Sequence, residues 1–232
     1  MNSNGIGMLV VLEGLDGAGK STQVALLRSY LEQRCSSLEY IHFPRYDAPV
    51  YGGLIGKFLR GGFGAIDKVH PQLVALLFAE DRRDASGVIR QALDQGKTVL
   101  LDRYVYSNIA YQCAKLSDSD EVPELRDWIF DTEYNRFGIP RPDLNIFLDV
   151  PIDFVKESLA GNRAGGDRDY LEGAQDIHEA DIAFQARVRD MYRAQAAADS
   201  SFIPVDCSDP QGRMLPADSI FEKIKAIVDA AL

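Results

Sequence analysis

Basic residues are in short supply in this sequence. There are 25 lysines and arginines against 35 aspartates and glutamates, and the formal net charge is -10 at pH 7. Such an excess of negative charge repels the phosphate backbone of a nucleic acid, so we expect no nucleic-acid partner. An anion that binds here must be held by a concentrated group of local donors and not by a basic surface.

Cysteines and long apolar runs are also scarce. Cys35, Cys113 and Cys207 are odd in number and widely spaced, which argues against a disulfide framework and against a CxxC metal site. Reduced thiols are typical of cytoplasmic proteins. The apolar run at residues 8–12 is far too short to cross a bilayer, and residues 1–7 lack the features of a signal peptide. We therefore expect a cytoplasmic protein with no membrane segment.

Short apolar segments alternate along the chain with segments of helical spacing. The predicted strands are 8–13, 38–43, 98–101, 144–150 and 202–205. The predicted helices are 20–34, 51–60, 71–93, 104–115, 121–136, 152–159, 176–198 and 217–232. This alternation predicts an α/β fold in three layers, α/β/α, around a five-stranded parallel sheet.

The chain shows no internal repeat and no linker suited to a domain boundary, so we expect one domain over residues 1–232. A stretch rich in glycine and charge, about 161–175, is predicted to be a mobile lid. Ligands of parallel α/β sheets bind beyond the carboxyl ends of the strands. We therefore look for chemistry in the residues that follow each strand.

The first strand runs into a phosphate-binding P-loop. The sequence from Gly14 to Ser21 matches G-x-x-x-x-G-K-[ST] and lies between a strand and a helix, which is the context that the motif requires. Backbone N–H groups and the helix N-terminus can hold phosphates, and Lys20 can reach the β- and γ-phosphates. The Ser21 hydroxyl is a candidate ligand of Mg²⁺. The residues predicted to bind ATP are Gly14, Leu15, Asp16, Gly17, Ala18, Gly19, Lys20, Ser21 and Thr22.

A P-loop alone does not separate a switch, a motor and a kinase. A GTPase of the Ras type needs an Asn-Lys-x-Asp segment after the fourth strand, and residues 148–151 read Leu-Asp-Val-Pro. An ATPase motor usually has further domains, which this length disfavours.

Charged residues also follow the second and third strands. Asp102 is placed to reach a magnesium ion, and Arg103 is placed to hold a donor and an acceptor phosphate. An ion pair at a helix start explains the same two residues equally well. After the second strand, in Phe43-Pro-Arg-Tyr46, Arg45 is placed to hold a second anion.

Two helices carry residues that suit a base and a sugar. Phe78 and Arg82 lie four apart on one helix face, where a ring can stack on a base and a guanidinium can bond its edge. A core phenylalanine beside a solvated arginine is the alternative. Asn108 and Tyr111 share a face of another helix, and an Asn amide offers both a donor and an acceptor. The alternative for this pair is ordinary helix surface.

Taken together, these pieces resemble the thymidylate kinases, a family of P-loop nucleoside monophosphate kinases. The matching segments are residues 13–22 (EGLDGAGKST), 43–46 (FPRY), 77–82 (LFAEDR) and 102–112 (DRYVYSNIAYQ). The resemblance implies that Asp16 contacts the sugar 3′-hydroxyl and that Asp102 and Ser21 hold magnesium. It implies a set of residues that bind the acceptor nucleotide: Asp16, Phe43, Arg45, Tyr46, Phe78, Arg82, Arg103, Asn108, Tyr111 and Gln112. Within that set, Arg45 and Arg103 would bind phosphate, Phe78 would stack on the base, Arg82 would bond its exocyclic oxygen, Asn108 would bond its edge, and Tyr111 would favour deoxyribose.

The resemblance also bears on the lid. Family members take a catalytic basic residue from the P-loop or from the lid, and this P-loop has Gly17 where one subgroup has arginine. The lid is then the expected source, through Arg163 or Arg168, and the sequence does not choose between them. The predicted catalytic residues are therefore Lys20, Arg103, Arg163 and Arg168. His178, just beyond the lid, is interpreted as a helix-surface or packing residue.

The reaction that the resemblance implies is transfer of the γ-phosphoryl group of ATP to dTMP with Mg²⁺, giving dTDP and ADP, as a step of dTTP biosynthesis. A homodimer that packs helices from the central part of the chain is also implied. Another nucleotide or deoxynucleoside kinase of the same fold, or a nucleotide-dependent switch without transferase activity, are the alternatives.

Overall fold

A five-stranded parallel sheet forms the centre of the protein. The computed structural model describes residues 7–35, 37–66, 68–118, 120–161, 171, 176–179 and 181–231. Its strands are β1 (Leu9–Gly14), β2 (Leu38–His42), β3 (Thr98–Asp102), β4 (Leu144–Asp149) and β5 (Phe202–Asp206). All neighbouring strands pair in parallel, in the order β2-β3-β1-β4-β5. The predicted fold class is confirmed, and each strand lies within about a residue of its predicted place.

Helices cover the sheet. They are α1 (Lys20–Arg34), α2 (Tyr51–Leu59), α3 (Pro71–Asp94), α4 (Val105–Cys113), α5 (Glu121–Phe130), α6 (Ile152–Ala160), α7 (Ile182–Ala198) and α8 (Ala217–Ala231). At the start of α3, Pro71 occupies the first turn and the His70 side chain accepts a hydrogen bond from the Gln72 backbone N–H. At its far end Gly96 adopts a left-handed backbone with φ 73°, which stops the helix. None of the described helices is long and apolar enough to span a bilayer.

Two predicted helices differ from the structure by more than two residues at one end. The helix predicted at 176–198 begins only at Ile182, because the Asp181 side chain caps it by accepting from the Ala183 N–H at 2.8 Å. The helix predicted at 121–136 is α-helical to Phe130 and continues as a π-helical turn, Asp131–Arg136. Such turns are rare, and they are frequent at functional sites.

The hydrophobic core fixes the position of the carboxyl end of β1. β1 is buried along its whole length between β3 and β4, so its carboxyl end is fixed from both sides. A second, small apolar cluster joins α2 to α3 through Ile55, Phe58, Leu59 and Val74.

The single-domain organisation stays a prediction. Of the predicted lid, the described residues are Gly161 and Leu171, so Arg163 and Arg168 lie outside the part of the chain described here.

Candidate active site

The P-loop has the backbone that its glycines predict. Gly17 and Gly19 take left-handed φ values of 73° and 72°, which a residue with a Cβ rarely adopts. α1 begins directly after Gly19, and no side chain caps it. Its first N–H groups and its positive end therefore face the loop and are available to an anion. Ser21 and Thr22 are exposed on the first turn of α1, beside this anion site.

Lys20 lies against the end of β3. Its Nζ donates to Asp102 Oδ1, and His42 Nδ1 lies 3.0 Å from the other oxygen of that carboxylate. Burial alone would raise the pKa of Asp102, but Lys20 and His42 outweigh burial and hold that pKa well below its ordinary value. Asp102 is thus an ionised carboxylate beside the P-loop. His42 is a member of this group that the sequence analysis missed.

Magnesium was predicted to bind Ser21 and Asp102. A carboxylate and a hydroxyl are the oxygen donors that Mg²⁺ takes from proteins when phosphates and water complete its shell, so the residues present fit the ion. Within the described ranges, no group of three or more His, Cys, Asp or Glu is arranged to hold a metal. Each Asp102 oxygen has one protein partner, and a carboxylate oxygen can accept a second bond, so Asp102 can face Mg²⁺ without losing Lys20 or His42.

A pocket opens next to the P-loop, between the ends of β1, β2 and β3 and helices α3 and α4. Nine of the ten residues predicted to bind an acceptor line it: Asp16, Phe43, Tyr46, Phe78, Arg82, Arg103, Asn108, Tyr111 and Gln112. Arg82, Asn108 and Tyr111 are buried. The alternatives of a solvated arginine and of ordinary helix surface are therefore excluded.

Arg103 connects the P-loop to this pocket. Its Nη2 donates to Asp16 Oδ1 at 2.6 Å, and its Nη1 donates to the Gly14 carbonyl at 2.7 Å. Tyr111 donates from its hydroxyl to the other Asp16 oxygen at 2.7 Å. Arg103 itself takes a left-handed φ of 68°, a strained backbone for a residue with a side chain and one often found at functional sites. The P-loop and the pocket therefore share one hydrogen-bonded group of side chains.

Asp16 is ionised at the centre of this group. Burial raises the pKa of Asp16, but the Arg103 guanidinium and the Tyr111 hydroxyl outweigh burial and lower it overall. Gln185 of α7 also donates to Asp16 Oδ2 from Nε2, at 3.1 Å. A carboxylate held in this way accepts hydrogen bonds only, which suits a ligand hydroxyl.

Arg45 is the predicted acceptor-side residue that does not line the pocket. Its Nε donates to Asp81 Oδ1 at 2.8 Å, and its Nη2 donates to Asp84 Oδ2 at 2.7 Å. The backbone N–H of Arg45 is also bonded to Asp81. A phosphate would have to compete with these two carboxylates, so the predicted role of Arg45 requires a rearrangement on binding.

His178 lines the pocket as well. It lies in a turn before α7 and not on a helix, and it is buried, so the helix-surface interpretation is wrong while the packing interpretation fits. Its ring contacts the rings of Phe58, Tyr111 and Phe184. Burial lowers the pKa of His178 well below its ordinary value, so the ring is neutral. Its Nε2 has no hydrogen-bond partner within the described ranges.

Lys115 lies just after α4 and is partly buried. Its Nζ donates to the pocket residue Gln112 at 2.7 Å and lies 4.8 Å from the centre of the Phe58 ring. Burial lowers the pKa of Lys115 from 10.5 to about 7, and the Asp176 carboxylate opposes this only in part. Between these two pH values the unfolded chain binds a proton that the folded chain does not.

This difference makes a testable prediction. The contribution of Lys115 to the free energy of unfolding should rise as the pH rises from about 7 to 10. In this range the folded chain has already lost the Lys115 proton, while the unfolded chain still holds it. Folding must therefore release a proton, and this release becomes easier as the pH rises. The Lys115→Met variant should be more stable than wild type at pH 7, and that advantage should shrink toward pH 10. Urea unfolding of both proteins across this range is the measurement. A gap independent of pH would contradict the prediction.

The fold and the site define the class: a P-loop NTPase fold with a second pocket that shares residues with the phosphate loop. The sequence model of the family described as "Thymidylate kinase" matches residues 12–214. The chain belongs to the thymidylate kinase family.

Individual relatives agree with this assignment. A thymidylate kinase of Leifsonia xyli is 36% identical over 210 residues, 90% of each chain. One from Mycobacterium tuberculosis is 34% identical over 191 residues, 82% of this chain and 86% of that protein. A solved structure of thymidylate kinase from Candida albicans superposes with a TM-score of 0.71 at 28% identity, covering 97% of this chain and 92% of that one.

Proposed function

We propose that this protein transfers the γ-phosphoryl group of ATP to dTMP, giving dTDP and ADP, and so supplies dTTP biosynthesis. The observation that carries the proposal is the position of Arg103. Its guanidinium bonds the Gly14 carbonyl of the P-loop and the Asp16 carboxylate while lining the acceptor pocket. One side chain thus lies beside both the phosphate loop and the pocket, a position that suits a transferase acting on two nucleotides and that a switch does not need.

The chain's part in the reaction is to position two anions and to neutralise their charge. In this scheme Lys20 leaves Asp102 and neutralises the transferred phosphoryl group, while Arg103 holds the acceptor phosphate in line with it. No general base is needed, because the acceptor phosphate is already an anionic nucleophile. Arg163 or Arg168 would add positive charge on closure of the lid. Ser21 and Asp102 would hold Mg²⁺, which would neutralise negative charge on the donor phosphates.

The test is an acceptor panel. Purified protein with ATP and Mg²⁺ should show its highest kcat/KM with dTMP, and lower values with dUMP, dCMP, UMP and thymidine. Preference for thymidine or for a cytosine nucleotide would move the assignment to another kinase of the same fold. Nucleotide hydrolysis that does not depend on any acceptor would favour the switch.

We also propose that the protein is a cytoplasmic homodimer. The three cysteines are unpaired, as expected of a reducing compartment. α3 exposes Leu73 (65%) and Val88 (53%), and the space around Gly87 is open, so another helix can approach its backbone closely. Burial of these side chains against a second copy would remove their apolar surface from water, which is what favours the dimer in this proposal.

The proposed dimer makes a prediction about the oligomeric state in solution. Val88→Glu should convert the dimer to a monomer, because a carboxylate would be buried without a partner in the interface. Sedimentation equilibrium of wild type, Val88→Glu and the control Ala226→Glu, an exposed position on α8, measures this. A Val88→Glu protein that remains dimeric would rule out this face of α3 as the interface.

A further inference from the structure

A fully buried glutamate lies behind the base end of the acceptor pocket. Glu133 is in the π-helical turn Asp131–Arg136, and its exposed fraction is 0%. It does not line the pocket itself, and none of the roles described above involves it. A buried carboxylate is costly unless it is fully bonded, so its partners define what it does.

Both of its oxygens are bonded to residues of the pocket. Arg82 donates from Nε to Glu133 Oε2 and from Nη2 to Oε1, the latter at 2.7 Å. Asn108 donates from Nδ2 to the same Oε1 at 2.9 Å. A single carboxylate therefore holds the two side chains that face a base edge in the proposed function.

The carboxylate decides which way the Asn108 amide points. Its NH₂ group has two acceptors, Glu133 Oε1 and the Ala75 carbonyl oxygen at 3.0 Å, and neither of these can donate. Both amide hydrogens are thus committed on the protein side. The Asn108 Oδ1 atom is buried and has no hydrogen-bond partner within the described ranges. Asn108 consequently offers the pocket an acceptor and no donor.

The same carboxylate sets what Arg82 can offer. Nε and Nη2 are taken by Glu133, and in the described part of the chain we find no hydrogen bond from Nη1. A guanidinium donates and never accepts. The base end of the pocket therefore presents one donor, from Arg82, next to one acceptor, from Asn108.

We propose that Glu133 is a positioning residue that fixes this donor–acceptor order and thereby selects a 4-oxo pyrimidine. Thymine and uracil carry an acceptor, O4, beside a donor, N3–H, which complements the order in the pocket. Cytosine carries the reverse, an amino donor beside the N3 acceptor, and would meet donor against donor and acceptor against acceptor. The inference rests on the proposed function, since it concerns the acceptor nucleotide of that site.

An amide in place of this carboxylate would break the order. In Glu133→Gln one of the two oxygens becomes an NH₂ group, which cannot accept a hydrogen bond. At the place of Oε1 it would face the donors Arg82 Nη2 and Asn108 Nδ2, and rotation of the Asn108 amide would then turn a donor toward the pocket. At the place of Oε2 it would face Arg82 Nε, and Arg82 would turn away and withdraw its donor from the base. Discrimination against cytosine should then fall while the shape of the pocket stays the same.

The experiment compares kcat/KM for dTMP, dUMP and dCMP in wild type, Glu133→Gln and the control Glu124→Gln, an exposed position on α5. Glu133→Gln should lower the dTMP/dCMP ratio by about tenfold to a hundredfold, the range for one well-placed set of base contacts. The dTMP/dUMP ratio should not change, because both bases have the same edge. Equal losses for all three substrates would overturn the inference and leave a structural role. A wild-type protein inactive on dTMP would instead overturn the proposed function.

A second measurement needs no variant. The Asn108 side-chain NH₂ protons, observed by nuclear magnetic resonance, should already be protected from solvent exchange in the free protein and should stay so when dTMP binds. Protons that exchange fast in the free protein and become protected only with dTMP would place the NH₂ group toward the base and overturn the inference. This outcome can be read even if Glu133→Gln does not fold.

Discussion

Replacing Lys20 with methionine is expected to lower kcat by about a thousandfold, in line with the loss of a preorganised charge at a transferring phosphoryl group. Methionine keeps an unbranched side chain of similar length, so the packing of the P-loop is largely retained. What is lost is the Nζ cation, which is held in the protein by Asp102. Steady-state rates with saturating ATP and dTMP measure the effect.

The control is Lys225→Met, which removes an ammonium group from α8, where it pairs with Asp229. Its kcat should stay within about twofold of wild type, since exposed ion pairs contribute little. Calorimetry is needed beside the rates, because Lys20→Met leaves the buried Asp102 carboxylate with His42 as its remaining partner. A folded Lys20→Met protein with kcat within threefold of wild type would contradict the assigned role.

Arg103→Met should be nearly as damaging, and in a different way. We expect kcat/KM for dTMP to fall by about 10³-fold, through both kcat and KM, while the KM for ATP changes much less. The guanidinium is the group that joins Asp16 to the Gly14 carbonyl, so its loss affects the acceptor and its alignment with the donor. The left-handed φ of 68° is as strained for methionine as for arginine, so backbone strain does not account for the difference.

Arg34→Met, at the end of α1, is the matched control, because it removes a half-exposed guanidinium distant from the pocket. Equal increases of KM for ATP and for dTMP in Arg103→Met would argue against an acceptor-side role. Retention of wild-type KM for dTMP would argue more strongly against it.

The fold could be predicted from the sequence because its signals are local. Branched apolar runs predicted β1 to β5, and the P-loop motif predicted that α1 begins at Lys20, as it does in the structure. The helix at 176–198 was predicted too early, because apolar spacing continues through the turn and the Asp181 cap outweighs it. The π-helical turn after Phe130 is six residues long, and Tyr134 is its one large apolar residue, so it is too short and too polar to show a period of its own.

The acceptor pocket was predictable to the extent that its residues follow strand ends or share helix faces. Nine of the ten predicted residues line it. The sequence does not reveal ion-pair partners that are distant along the chain. Arg45 is held by Asp81 and Asp84, and Arg82 by Glu133, 51 residues away. No periodicity links such pairs, and the charge of a single residue does not say which partner neutralises it.

The transfer itself can be followed with ATP labelled in the γ-phosphoryl group. In a single turnover with excess protein and dTMP, the account predicts that the label appears in the β-phosphoryl group of dTDP at the rate at which ATP disappears, with almost none as inorganic phosphate. Label released as inorganic phosphate at a rate that dTMP does not change would contradict the central claim, because the protein would then hydrolyse the nucleotide without using its second pocket.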